Sequence, residues 1–130
     1  MKSDQLDKLL PLDTNLIVLA GYMPIISSKI CAKWKGKLIN THPSLLPRYG
    51  GIGMYGVKVQ EAVMAAKEIY GGCSVHYVSE KVDMGDLIRQ KSIKINYEET
   101  PWQLGGHINK LERDLIVEVS MFLKSKCITS

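Results

Sequence analysis

Apolar and polar residues follow one another along the chain with the periods of both strands and helices. Leu16 to Ala20 is a continuous run of β-prone apolar residues, which is typical of a strand buried on both faces of a parallel sheet. A helix is predicted next, with its N-cap at Ser27 or Ser28 and Gly36 near its end. Leu38 to Asn40 then forms a second short strand. This order predicts a βαβ unit with a right-handed crossover.

The second half of the chain predicts another helix and two more strands. After the glycine-rich stretch 50–56, four apolar residues fall at helical spacing: Val59, Ala62, Val63 and Ala66. The segments 72–79 and 87–95 alternate as strands do. The second of them carries many polar residues, which predicts a position near a sheet edge or on a solvated face.

A final helix is predicted from a full set of start signals. Thr100 stands at the N-cap, Pro101 at the first helical position, and Gln103 where it can complete a capping box. Apolar residues continue at helical spacing as far as Phe122. The pair Gly105-Gly106 disfavours a helix, and either close helix packing or the close approach of a ligand would explain it.

These elements predict an α/β fold with a mostly parallel sheet flanked by helices, forming a single domain over residues 1–130. Ligands bind such sheets at the carboxyl ends of the strands. Three segments fall at predicted strand exits: 21–23, 40–42 and the residues after Ser79.

Composition narrows the function classes. The chain has 130 residues, 45% of them hydrophobic, and a net charge of +4. Its apolar runs are too short to span a bilayer, and charges interrupt what would be the apolar part of a signal peptide, so a cytoplasmic location without membrane contact is predicted. The basic residues are scattered without interleaved aromatic residues, which argues against nucleic-acid binding. The spacing of Cys31, Cys73 and Cys127 favours neither a disulfide framework nor a metal site.

Asn40 and His42 are candidates for chemistry. In an extended segment they would point to the same side and present an amide donor and an imidazole to the same space. Such groups can stabilise an oxyanion and transfer a proton near neutral pH. Spacing alone leaves open whether they do this or merely end a strand.

Two further polar residues allow either a structural or a functional interpretation. Asp83 lies in a predicted tight turn, where it either forms the turn or supports a nearby imidazole. His76 lies inside an alternating strand, where a half-buried structural role is the simpler interpretation.

Motifs in this order resemble those of the folate-dependent formyltransferases, in particular the phosphoribosylglycinamide formyltransferase branch. They are "LAGYMPIIS", "LINTHPSLLPRYGG", "GCSVHYVSEKVDMGDLIRQ" and "LERDLI". The resemblance implies a Rossmann-like formyltransferase fold. It also implies transfer of a formyl group from the co-substrate 10-formyltetrahydrofolate to a primary amine, in this branch 5′-phosphoribosylglycinamide of purine biosynthesis, without a metal.

The resemblance also implies residue roles. Asn40, His42 and Asp83 match the catalytic residues of the family. The folate-binding positions would be Met23, Pro24, Ile25, Ile26, Val78, Ser79, Glu80 and Val82. Thr41, Pro43 and Glu112 would contact the amine substrate.

One departure from the family concerns its N-terminal part, which includes a phosphate-binding G-x-G-S-N turn that has no counterpart in this sequence. We therefore expect an N-terminally truncated form of the fold, with a homodimer or a complementing N-terminal chain as possible completions. Two alternative functions stay open: formyl transfer to a nucleotide-linked amino sugar, and folate binding by a truncated paralogue without turnover.

Overall fold

The computed structural model describes residues 16–19, 28–78 and 85–129. These described residues form seven elements in order, four strands and three helices. The strands are β1 (Ile17–Leu19), β2 (Leu38–His42), β3 (Tyr70–Tyr77) and β4 (Leu87–Lys94). The helices are α1 (Ser28–Lys33), α2 (Val57–Ala65) and α3 (Pro101–Thr129). The α/β class predicted from the sequence is confirmed.

The first three elements form the predicted parallel unit. β1 pairs with β2 in parallel, with Ile17 opposite Leu38 and Leu19 opposite Asn40. Trp34 follows α1 and is buried against Ile17, Leu19 and Leu38. Gly36 has a φ of 76°, which ends the connection before β2 with a conformation that glycine adopts readily. Apolar packing of Trp34 against β1 and β2 therefore holds the end of α1 next to the two strands.

β3 and β4 make the described sheet mixed. The strand order is β1-β2-β3-β4, and both the β2–β3 and the β3–β4 pairs are antiparallel. The predicted predominance of parallel pairing therefore applies to the βαβ unit and not to β3 and β4. The connection from β3 to β4 is too short for the crossover that parallel neighbours need, whereas β2 and β3 are antiparallel although α2 lies between them in the chain.

The main core lies between one face of this sheet and the helices α2 and α3. Ile39, Cys73 and Val75 supply the sheet side, and α3 contributes Leu104, Ile108, Leu115 and Val119. Burial raises the pKa of the Cys73 thiol to about 12, so this thiol stays protonated at neutral pH. Cys73 is therefore a packing residue of the core.

The start of α3 has the predicted capping box. The Thr100 backbone N–H donates to Gln103 Oε1 at 2.9 Å, and the Gln103 N–H donates to Thr100 Oγ1 at 3.2 Å. Gly105 and Gly106 are less constrained than expected. A Cβ at Gly105 would lie 3.8 Å from Gln60 Cγ, an ordinary contact, and one at Gly106 would meet nothing within 4 Å. Close helix packing, one of the two explanations for these glycines, is therefore not observed.

Charged groups join β4 to the outer side of α3. Glu118 pairs with Lys91 and lies 3.7 Å from Arg89. These groups are exposed enough that each pair contributes little to stability in water. In the described part of the chain, no helix is both long enough and apolar enough to cross a membrane.

Candidate active site

The carboxyl end of β2 carries the two candidate catalytic residues. Strand β2 continues through Thr41 to His42, two residues beyond the predicted end, because Thr41 and His42 pair with Val75 and Ser74 of β3. Side chains alternate along a strand, so Asn40 and His42 lie on one face and Thr41 on the other. Asn40 is 6% exposed and His42 is fully buried. The structure therefore brings Asn40 and His42 to one face, as the spacing predicted.

The imidazole of His42 is oriented by the backbone of Tyr49. His42 Nε2 lies 2.7 Å from the Tyr49 carbonyl oxygen. A carbonyl can only accept, so Nε2 carries a proton and donates it, and in the neutral ring Nδ1 then has the lone pair. Tyr49 has a φ of 58°, a left-handed conformation that is strained for a bulky residue. Such strain is often found where a backbone group must be held for function.

His76 adds a second imidazole to the same face. It pairs with Asn40 across β2 and β3, and it is 2% exposed, more deeply buried than predicted. Its Nδ1 lies 2.9 Å from the carbonyl oxygen of Tyr77, to which it donates. Sequence pattern alone did not associate His76 with Asn40, because the pairing depends on the register of two strands that are distant in sequence.

Hydrogen bonds from β3 and β4 hold the segment 43–49, which we call the His–Pro loop. The hydroxyl of Ser74 donates to the Ser44 carbonyl at 2.6 Å and accepts from the Leu46 N–H at 3.0 Å. Gln90 Nε2 lies 2.9 Å from both the Leu46 carbonyl and Ser74 Oγ. These contacts, together with the Ser44 hydroxyl donating to the Arg48 carbonyl at 2.6 Å, fix the loop that ends at Tyr49.

Thr41 and Glu112 meet on the opposite face of the sheet. Thr41 Oγ1 donates to Glu112 Oε2 at 2.7 Å, and both residues are buried. Burial raises the pKa of the Glu112 carboxyl above its usual value, while the hydrogen bond from Thr41 acts in the opposite direction. Among the described residues, the neutral Thr41 hydroxyl is the group that donates to this poorly solvated carboxyl group.

Replacing Thr41 with valine is expected to destabilise the fold in a pH-dependent way. The carboxyl pKa of Glu112 is raised in the folded state, so its contribution to stability is full below the unfolded pKa and is lost as pH rises through the folded pKa. Without the Thr41 hydroxyl the folded pKa rises further and this loss grows. We expect a deficit of about 1–3 kcal/mol near neutral pH and a smaller one in acid, measured by urea unfolding.

The matched control is Thr41→Ser, which keeps the hydroxyl and should keep most of the stability. A Thr41→Val deficit that stays the same between acid and neutral pH would show that Glu112 does not depend on this donor.

Several predicted site residues lie outside the described residues. These are Asp83 and seven of the folate-binding candidates: Met23, Pro24, Ile25, Ile26, Ser79, Glu80 and Val82. The eighth, Val78, follows β3, donates its N–H to the Leu38 carbonyl at 2.9 Å and packs against the Trp34 cluster. Pro43 begins the His–Pro loop directly after His42.

Sequence reasoning missed three polar residues around the loop: Ser74, Gln90 and Gln60. Ser74 and Gln90 are paired opposite one another on β3 and β4. Gln60 of α2 is 1% exposed and donates from Nε2 to the Pro43 carbonyl at 2.7 Å. The helical pattern assigned the buried face to neighbouring apolar residues, so no local signal indicated that an amide would be buried there.

Comparison with known proteins gives a consistent result. The family model described as "Formyl transferase" matches residues 1–120. A phosphoribosylglycinamide formyltransferase of Arabidopsis thaliana, described as chloroplastic, is 33% identical over 117 residues, covering 90% of this chain and 40% of that protein. The Bacillus subtilis phosphoribosylglycinamide formyltransferase is 41% identical over 100 residues, covering 77% of this chain and 49% of that protein.

A solved structure extends the comparison to the fold. The phosphoribosylglycinamide formyltransferase of Anaplasma phagocytophilum superposes with a TM-score of 0.82 at 31% identity, covering 95% of this chain and 59% of that one. The chain thus spans about half the length of the relatives it matches. With a family match over nearly its whole length, and with the fold shared, the chain belongs to the formyl transferase family.

Proposed function

We propose that this protein transfers a formyl group from 10-formyltetrahydrofolate to the amine of 5′-phosphoribosylglycinamide, in purine biosynthesis. The observation that carries the proposal is the buried pair Asn40 and His42, which share one face at the carboxyl end of β2. Family membership supports the reaction type, and the relatives, which are phosphoribosylglycinamide formyltransferases, support the acceptor.

In the proposed reaction the amine nitrogen attacks the formyl carbon, and the carbonyl electron pair moves onto oxygen. The Asn40 amide N–H donates to this oxyanion, and so does the protonated imidazole of His42. Because Nε2 of His42 already donates to Tyr49, Nδ1 is the nitrogen that would face the reacting group. Asp83 would support the imidazolium. The intermediate then expels the folate nitrogen, which takes the proton that the amine has lost.

Substrate contacts are proposed from the family motif. The folate would lie against 23–26 and the segment 78–83, and the acceptor would contact Thr41, Pro43 and Glu112. Glu112 lies with Thr41 on the face of the sheet opposite to His42. An acceptor that reaches both Glu112 and His42 would therefore extend around the carboxyl end of β2.

We further propose that residues 1–130 act as one domain in the cytoplasm. The short apolar runs support this location. Since the chain spans about half of the relatives it matches, a homodimer or a complementing N-terminal chain is proposed to complete the acceptor site.

The test is a transfer assay with purified protein. It contains 10-formyltetrahydrofolate, or its dideaza analogue, and 5′-phosphoribosylglycinamide, and follows the deformylated folate. Turnover that depends on this acceptor is expected. A nucleotide-linked amino sugar serves as the second acceptor, and folate binding is measured by calorimetry. Folate binding without product from either acceptor would contradict the proposed function and favour a paralogue without turnover.

A further inference from the structure

Gln60 is a buried amide that contacts the backbone immediately after His42. It lies on α2 between the buried residues Val59 and Val63, and it is 1% exposed. Its Nε2 donates to the Pro43 carbonyl at 2.7 Å. Within the residues that the structure describes, its Oε1 has no hydrogen-bond partner. Burying an amide for one hydrogen bond is unfavourable compared with an apolar side chain, so the bond to Pro43 needs an explanation beyond packing.

The bond to Pro43 acts at the start of the His–Pro loop. The pyrrolidine ring of Pro43 already fixes φ, so a hydrogen bond to its carbonyl restrains the following peptide plane as well. The other end of the loop is Tyr49, whose carbonyl orients His42 Nε2. Ser74 and Gln90 hold the middle of the loop. The hydrogen bond from Gln60 joins the start of this loop to α2, an element whose apolar residues pack in the core.

We propose that Gln60 is a positioning residue for formyl transfer. By holding the Pro43 carbonyl it fixes the beginning of the His–Pro loop, and through the loop it fixes the direction in which the His42 imidazole faces. The inference rests on the proposed function, because it assigns His42 to the transfer step. Gln60 itself touches no reacting group in this scheme. Gln60 acts through the geometry of the site, since a small displacement of a catalytic group strongly reduces the rate.

The chemistry of the position explains why glutamine suits it. The neutral amide offers a donor long enough to reach from the helix to the loop. Methionine has a similar shape but no donor, and an ionised glutamate has nearly the same shape but brings a negative charge against the Pro43 carbonyl. These two replacements therefore separate packing from hydrogen bonding.

The experiment compares Gln60→Met and Gln60→Glu with the core variant Val63→Ala in the transfer assay. Val63 is buried on the same helix and has no polar side-chain atom, so its truncation weakens packing without removing a hydrogen bond to the loop. We expect Gln60→Met to lower kcat by about tenfold with little change in the KM for folate, and Gln60→Glu to lower kcat further. Val63→Ala should keep kcat near that of the unchanged protein at temperatures where it stays folded.

A second readout does not depend on activity. Nitrogen NMR of the His42 ring reports which ring nitrogen carries the proton, and the unchanged protein should show the Nε2–H form. Gln60→Met should give a mixture of both forms, whereas Val63→Ala should not. The proposal is overturned if the His42 ring of Gln60→Met keeps a single Nε2–H form, or if kcat falls equally in Gln60→Met and Val63→Ala. If the unchanged protein has no turnover, the proposed function fails, and the NMR comparison still decides the role of Gln60.

Discussion

Replacing His42 with alanine should lower kcat for formyl transfer by about a hundredfold to a thousandfold, because losing one oxyanion donor has an effect of this size. The loss should be larger if His42 also moves the proton. Folate binding, measured by calorimetry, should change little, because the proposed folate contacts lie in 23–26 and 78–83. Activity and binding together distinguish a catalytic role from a collapsed site.

The variant needs controls for folding, because His42 is fully buried and donates to Tyr49. His42→Gln offers a second test, since its amide can still donate to a backbone carbonyl while it cannot act as an acid or base near neutral pH. His107→Ala is the matched histidine control. His107 lies on the exposed side of α3, paired with Glu99 at 2.8 Å. Turnover by His42→Ala equal to that of His107→Ala would exclude the proposed role of His42.

Gly72→Ala should produce the largest loss of stability among the changes considered. A Cβ at Gly72 would lie 2.1 Å from the Lys91 carbonyl oxygen on β4, and 2.7 Å from Leu45 Cδ2 in the His–Pro loop. The first contact is with backbone, so β3 and β4 would have to separate. We expect a loss of about 3 kcal/mol or more in the free energy of unfolding, measured by denaturant titration.

The neighbouring glycine gives a matched control. A Cβ at Gly71 would approach Ile108 Cδ1 at 3.4 Å, which is an ordinary contact with the end of a flexible side chain. Gly71→Ala should therefore change the free energy of unfolding by no more than about 1 kcal/mol. Equal stability of the two variants would mean that β3 and β4 are not as close at Gly72 as the structure has them.

His42→Ala and Gly72→Ala probe connected parts of the structure. Gly72 allows β4 and Leu45 to approach β3, and Ser74, two residues along β3, holds the loop that carries Leu45 and Leu46. A close strand pair is thus a condition for the hydrogen bonds that position the His–Pro loop. We expect any Gly72→Ala protein that folds to have reduced transfer activity as well.

Local interactions explain what the sequence by itself determined. The capping box of Thr100 and Gln103 needs only residues three apart, and it is present as predicted. The order of strands and helices follows from hydrophobic period, and the same-side placement of Asn40 and His42 follows from strand alternation. The motifs around these residues indicated the family, because a motif is recognised from the order of its residues without knowledge of the structure.

Contacts between distant segments decided the rest. β2 extends to His42 because β3 supplies partners for it, and the antiparallel direction of β3 brings His76 beside Asn40. Thr41 faces Glu112, 71 residues away, and the buried amide of Gln60 on α2 donates to the Pro43 carbonyl. Periodicity describes how each element meets the core, but it does not give the register or the direction in which elements meet one another. The tertiary structure alone therefore decided which polar groups surround the His–Pro loop.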